Sequence, residues 1–220
     1  MPRLRSVLRW TARTLFTLTS VLVAAYAFTY LFRAFRTGDP FAAQFAASGW
    51  DVPLHFFGAG LALLVAPLQV AAGVRRRLPG LHRTTGWLYL AAILIGGASG
   101  LSLAFNAQGG AASGVGFALL ALLWIAITVR GVSFAVAGDI VRHRRWMCRS
   151  VALTFAAVTL RVMLAVGGGM LHLPFMPVYI TAAWASWLLN LAVCELMLRW
   201  PARHPHGAGG TRWASRPAGA

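Results

Sequence analysis

Six long apolar segments, separated by short polar ones, run through the sequence from near its start to near its end. They are residues 15–32, 52–74, 85–105, 115–137, 151–170 and 178–198. Each has roughly the 20 residues that an α-helix needs to cross the hydrocarbon core of a bilayer. Helices also satisfy their own backbone hydrogen bonds in lipid. The sequence therefore predicts an all-α fold: a polytopic integral membrane protein built as a six-helix transmembrane bundle.

The charged residues are too few for a soluble domain and too scattered for a nucleic-acid-binding surface. They make up 11% of the 220 residues, and apolar residues make up 59%, whereas soluble domains carry about 25% charged residues. All 20 basic residues are arginine, and they lie mostly in short clusters between the apolar segments. This pattern is typical of positively charged membrane loops. We therefore expect a lipid bilayer as the chain's environment and no nucleic acid as its partner.

The arginine clusters also predict the orientation of the bundle. Four arginines lie in each of four segments on one side of a six-span bundle, residues 1–14, 75–83, 138–150 and 199–220. The other side has only Arg33 and Arg36. Cytoplasmic loops carry the excess of arginine in membrane proteins, so both termini are predicted to be cytoplasmic (N-in/C-in).

This orientation predicts three regions along the chain. Residues 1–14 form a basic cytoplasmic N-terminus, residues 15–200 form the transmembrane domain, and residues 201–220 form a disordered basic cytoplasmic tail. The tail is rich in Gly, Pro, Arg and His, a composition that does not support a packed core. The first apolar run is longer than the core of a signal peptide, so we expect it to be retained as a span.

Arg161 lies inside the fifth predicted span, about twelve residues from its start. Charged side chains within a bilayer are costly and commonly mark functional sites. Its candidate partners on other spans are Gln69, Asn190 and Glu195. Two interpretations remain open: a functional polar site within the membrane, or a structural role in which Arg161 pairs with Glu195 or caps carbonyls freed at Pro67.

His82 and His143 begin the third and fifth spans on the predicted cytoplasmic side. Two neutral imidazoles at equal depth on facing helices can bind the iron of a b-type haem axially. Arg83 and Arg144 follow the two histidines directly, and a guanidinium suits a haem propionate. The sequence therefore suggests haem b at this end, with His82 and His143 as its iron ligands. The ordinary alternative is that His-Arg pairs belong to a positively charged loop.

A second pair of histidines lies on the outer side. His55 is near the start of the second span, and His172 follows the fifth span directly. These residues are weaker candidates for cofactor binding, because His172 is expected in a loop.

The sequence lacks the residues that other kinds of chemistry need. The sequence holds only four acidic residues, and they form neither a carboxylate pair for acid–base work nor a Ser-His-acid set. There is no glycine-rich phosphate-binding motif. A hydrolase or transferase is therefore not expected, whereas a redox role remains possible. Cys148 and Cys194 have no metal-binding spacing and are interpreted as reduced structural thiols.

Several motifs resemble those of a known family. His55, Gly58, Gly60, Pro67 and Gln69 follow the pattern of its second span, and LHRTTGWLYL (residues 81–90) that of the start of its third. HRRWMCRS followed by ALTFAAVTLR (residues 143–161) is similar to its most recognisable segment. The family is bacterial and is described as predicted membrane proteins, domain of unknown function 2306. The resemblance covers about residues 50–200 and implies no established activity.

The chain is also loosely similar to cytochrome b561-like proteins. These have six helices, of which the central four hold two b haems through paired histidines. The resemblance implies one such pair at His82 and His143. The second pair departs from the pattern, because the fourth span (residues 115–137) contains no histidine. At most one conventional haem site is therefore expected.

Three functions are compatible with these residues, all in a multi-pass protein of a bacterial inner membrane. The first is a b-haem electron carrier, with a quinone or another redox partner. The second is a small transporter or ligand-binding protein with a polar site around Arg161, Gln69, Asn190 and Glu195. The third is an accessory subunit without chemistry of its own. The sequence leaves the oligomeric state open.

Overall fold

A computed structural model describes residues 2–33 and 48–199 of the chain. These residues form helices and the turns between them, with no strand. The helices are α1 (Pro2–Arg33), α2 (Asp51–Val70), α3 (Ala72–Arg77), α4 (Pro79–Ala104), α5 (Ala111–Val136), α6 (Ile140–Thr154), α7 (Ala156–Leu164) and α8 (Phe175–Arg199), with a π-helical turn at Ala165–Met170. The predicted outer loop around Arg36 and the predicted tail, residues 201–220, lie outside the described residues.

Six helical segments within the described residues are long and apolar enough to cross a membrane. They are α1, α2, α4, α5, the stretch from α6 through the π-helical turn, and α8. The predicted all-α, six-helix fold is therefore confirmed. The end of the bundle that carries residues 75–83, 138–150 and Arg199 is called the Arg-rich end below.

The fifth span starts earlier than the sequence suggests. Residues 140–150, predicted as a basic loop, form the first turns of α6. Asp139 caps this helix, because its side chain accepts a hydrogen bond from the backbone N–H of Arg142 at 2.9 Å. A capped start lets the basic segment continue the helix beyond the apolar core. Arg161 consequently lies nine residues before the end of the span at Met170, in the half away from the Arg-rich end.

Four spans form the centre of the bundle and two lie against it. Helix α2 packs on α4, α4 on α5, and α5 on α6, while α2 also contacts α6. Helix α1 lies outside α2 and α7, and α8 lies outside α5, α6 and α7. The candidate histidines at the Arg-rich end therefore belong to the central group.

Two glycines allow α2 and α4 to pack with their backbones in contact. A Cβ atom on Gly58 would lie 2.5 Å from the backbone nitrogen of Gly96, and one on Gly96 would lie 2.7 Å from that of Ala59. Both distances are shorter than real Cβ contacts. Small residues allow such close packing in membrane bundles. Gly96, one of the small residues at positions 96–100, makes this contact.

A buried hydrogen-bond network joins three of the central helices. The hydroxyl group of Tyr89 on α4 lies 3.1 Å from Ser150 Oγ and 2.6 Å from Thr154 Oγ1, both on α6. From α5, Trp124 Nε1 donates to Thr154 Oγ1 at 2.9 Å, and Thr128 Oγ1 lies 2.6 Å from Ser150 Oγ. All five side chains are buried. The network satisfies polar groups that would otherwise be costly inside the bundle.

Candidate functional site

His82 and His143 lie at matching heights on two parallel helices. The hydrogen bond between Tyr89 of α4 and Ser150 of α6 fixes the relative height of those helices. Each histidine precedes one member of that bond by seven residues, which is close to two helical turns, or about 10 Å. Both histidines therefore belong to the helix faces that meet at Tyr89 and Ser150. They are close enough to interact electrostatically.

The ring of His143 is held by a backbone carbonyl of the neighbouring helix. Its Nδ1 atom lies 2.8 Å from the oxygen of Gly131 on α5. A carbonyl oxygen only accepts, so Nδ1 carries the hydrogen and Nε2 of the neutral ring keeps its lone pair. Residue 131 lies close to α6, since a Cβ there would be 2.8 Å from Sδ of Met147 and 3.3 Å from Cβ of Trp146. Proteins commonly fix the tautomer of a metal-binding histidine in this way.

His82 has a ring nitrogen that is buried and unpaired. Within residues 2–33 and 48–199, its Nδ1 is one of three buried side-chain polar atoms without a hydrogen-bond partner, and the other two are serine hydroxyls. Such atoms are rare in native proteins, because leaving them unpaired is costly. The Nδ1 atom of His82 therefore lacks the hydrogen bond that a buried ring nitrogen normally makes.

Gln69 fixes the start of α4 beside His82. Its Nε2 atom donates to Thr85 Oγ1 at 2.7 Å and lies 3.5 Å from the backbone oxygen of His82. The described hydrogen bonds of Gln69 thus join α2 to α4. Helix α2 ends at Val70, shortly after Pro67.

The residue types at this end are those that a b-type haem would need. Two imidazoles could act as axial ligands, and Arg83 and Arg144, whose side chains are exposed, follow the two histidines directly in the sequence. In the part of the chain that the structure describes, no group of three or more His, Cys, Asp or Glu residues is placed to hold a metal ion. A metal bound by two histidines alone would need most of its ligands from elsewhere, and a porphyrin brings four nitrogens of its own.

The two outer histidines have different surroundings. His55 Nδ1 lies 2.8 Å from the oxygen of Gly96 on α4, and Gly100 gives the ring its space, since a Cβ there would lie 2.8 Å from Nδ1. His172 is exposed in the connection between the π-helical turn and α8, with a positive φ of 52°. No contact among the described residues joins the two rings. Among the described residues, two histidines close enough to interact electrostatically are found at the Arg-rich end.

Arg161 lies in a cluster of aromatic residues contributed by α1 and α2. Its Nη1 atom donates to the backbone oxygen of Ala157 on its own helix at 2.8 Å. The guanidinium carbon lies 5.7 Å from the ring centre of Tyr26, and the group is also close enough to Tyr30 and His55 to interact electrostatically. The two tyrosine hydroxyls are hydrogen-bonded to each other. Neither tyrosine is among the residues predicted for this site, although their four-residue spacing in an apolar span places both on one helix face.

The three residues predicted to accompany Arg161 have partners of their own. Asn190 of α8 donates to the backbone oxygen of Ala152 at 3.1 Å and accepts from Thr159 Oγ1 at 3.0 Å. Glu195 pairs with Arg149, whose Nη2 lies 3.1 Å from Oε2. Gln69 is at the Arg-rich end, as described above. These residues hold helices together at separate places, and the structure does not bring them to Arg161.

Comparison with known proteins identifies one family. A family model described as predicted membrane protein (DUF2306) matches residues 52–198, about two thirds of the chain. This range contains the five spans after α1 and both histidines of the Arg-rich end. No curated protein and no solved structure matches the chain.

Proposed function

The chain belongs to the DUF2306 family of predicted membrane proteins, and from this premise we propose that it is a b-type haem protein that carries electrons in the membrane, with His82 and His143 as axial ligands. The six-span bundle makes it an integral membrane protein. The redox role, the haem and a location in a bacterial inner membrane are parts of the proposal.

One observation carries the proposal. Two imidazoles each precede, by seven residues, one member of the Tyr89–Ser150 hydrogen bond that joins α4 and α6. One has Nδ1 hydrogen-bonded to a backbone carbonyl, and the other has a buried, unpaired ring nitrogen. An ordinary histidine at a membrane boundary requires neither feature. Together they are what a pair of axial ligands requires, since each ring must be oriented and must keep a nitrogen free.

The chain's own residues would orient and tune such a group. A bound haem would supply one-electron redox chemistry. The hydrogen bond from His143 to Gly131 would fix the ring and raise the basicity of its other nitrogen. Arg83 and Arg144 would pair with the propionates at the Arg-rich end. A partner such as a quinone would meet the protein at the membrane boundary on this side.

An absorption spectrum of the purified full-length protein tests this function. Protein from haem-replete cells should show a Soret band and, after dithionite, the sharp bands of a low-spin haem. The variant His143→Ala should lose this spectrum, because one axial ligand is gone. His204→Ala, in the C-terminal tail, should keep it. A correctly folded protein without Soret absorption would contradict the proposal.

A second candidate function rests on Arg161. Each acidic residue that the structure describes is engaged elsewhere: Asp51 with Ser102, Asp139 with Arg142, and Glu195 with Arg149. The half-buried guanidinium therefore has no carboxylate partner among residues 2–33 and 48–199. A cation in this position is stabilised by a bound anion, so the alternative is a ligand-binding or transport site for a small organic anion. An accessory subunit without chemistry is the third possibility, and it would follow if neither group were bound.

A further inference from the structure

A groove on the outside of the bundle lies between α5, α6 and α8. Its lining includes neither histidine of the Arg-rich end nor Arg161, although Arg130 and Trp146 are close in sequence to Gly131 and His143. We propose that this groove binds one anionic phospholipid, with the phosphate at Arg130 and Arg149 and an acyl chain along α5 and α8. The inference does not depend on haem or on an anion at Arg161.

The part of the groove that is farther from the Arg-rich end is apolar. The groove has a volume of about 540 Å³, which is within the range of ligand-binding pockets. Leu123, Ala126 and Ile127 of α5 line it on one side, and Leu191 of α8 lines it on the other. Leu123 and Ala126 are exposed on the outer surface of the bundle. At this depth the surroundings of the bundle are lipid tails, so the groove opens toward an acyl chain.

The mouth of the groove is polar and carries an excess of positive charge. Arg130, Trp146, Arg149 and Glu195 line it. Glu195 is paired with Arg149 and is also close enough to Arg145 and Arg199 to interact electrostatically. Three guanidinium groups therefore surround one carboxylate, and Arg130 adds a further positive charge to the lining. The charge complementarity favours an anionic headgroup over a zwitterionic one, as in basic pockets between transmembrane helices.

Arg130 is the residue best placed to bind the phosphate. Its side chain is exposed, and its guanidinium carbon lies 5.0 Å from the ring centre of Phe134. It precedes the end of α5 at Val136 by six residues, about 9 Å along the helix. A guanidinium at this depth reaches the interface by extending its apolar stem along the helix. This places its charge at the level of lipid phosphates, directly above the apolar groove.

Lipid titration of the purified full-length protein, followed by native mass spectrometry, tests the proposal. The two probes are dioleoyl phosphatidylglycerol and dioleoyl phosphatidylcholine, which have the same chains and differ in net charge. The wild-type protein should bind the phosphatidylglycerol about tenfold more tightly, the usual size for one charge-assisted contact. Arg130→Gln should reduce this preference to less than about twofold. Arg76→Gln, which removes an exposed arginine of α3 at the same end, should leave it unchanged.

A second variant tests the apolar part of the site without altering charge. Ala126→Phe fills the groove from an exposed position and should weaken binding of both lipids, while helical circular dichroism and gel filtration remain as in the wild type. Excess glycerophosphoglycerol, the deacylated form of phosphatidylglycerol, has the headgroup charge but no chains and should not displace the lipid. Equal binding of the two lipids by the wild type would overturn the proposal. An equal loss in Arg76→Gln and Arg130→Gln would also overturn it, because the effect would then be one of general surface charge.

Discussion

Arg161 shows how the surroundings of a single residue limit what it can do. Its guanidinium has a carbonyl of its own helix, an aromatic face and nearby hydroxyl groups as neighbours. These groups solvate a cation without neutralising it. An anion with an aromatic ring would add the missing charge and would also suit the tyrosines of α1.

The second candidate function makes a prediction for benzoate, a small aromatic anion. Benzoate at five times its dissociation constant should stabilise the purified protein by about 1 kcal/mol, which raises the melting temperature by about 2–4 °C in a protein of this size. Arg161→Gln should abolish the rise. Benzamide, the neutral analogue, is the ligand control. A rise with benzamide, or one that persists in Arg161→Gln, would place the binding elsewhere.

At this scale the sequence indicates candidate residues but does not predict their partners. Arg161 is conspicuous in an apolar span, and the common depth of His82 and His143 follows from their positions at the start of two spans. Their contacts depend on packing between helices. Gly131, which accepts from His143, and Tyr26, which faces Arg161, look like ordinary residues of an apolar span. No local pattern indicates that they belong to a site.

At the scale of elements, close packing of two helices depends on glycines, which have no side chain to keep the backbones apart. The contact between α2 and α4 is built on Gly58 and Gly96, and the carbonyl group of Gly96 also accepts the hydrogen bond from His55. The small residues of the third span predict close packing, and the structure agrees. The helix boundaries are less predictable, because hydropathy does not register a capped, arginine-rich start such as that of α6.

A matched pair of glycine variants on α4 tests this packing. Gly96→Ala should destabilise the protein by about 1–3 kcal/mol, because its Cβ would press against the backbone of α2. Gly80→Ala, near the start of the same helix, meets nothing within 4 Å. It should be neutral or stabilise the helix by no more than about 1 kcal/mol. Thermal unfolding in one detergent compares the two variants. Equal effects would show that helix propensity, not the contact with α2, decides the outcome.

At the scale of the whole molecule, the bundle is a central group of four spans with one span on either side. The hydrogen-bond network of Tyr89, Ser150 and their neighbours lies inside the central group. The proposed haem ligands lie about two turns closer to the Arg-rich end, and the proposed lipid groove opens on the outside of the bundle at that same end. The two proposed sites would therefore both be used from one side of the membrane, which makes the orientation of the protein a functional question.

The distribution of arginine predicts that orientation. In the predicted topology, sixteen of the 20 arginines fall in four segments on one side, Arg33 and Arg36 fall on the other, and Arg130 and Arg161 fall within spans. Such a bias sets the topology of helical membrane proteins. Reporter fusions at about residues 79, 138 and 210 should therefore be active in the cytoplasm, and fusions at about residues 45, 110 and 174 should be active outside it. The described sites among these lie in or directly beside the connections between helices, at residues 78, 105–110, 137–139 and 171–174. A cytoplasmic signal at residue 110 would contradict the six-span arrangement, whereas a full reversal of all six signals would keep the fold and move both proposed sites to the outer side of the membrane.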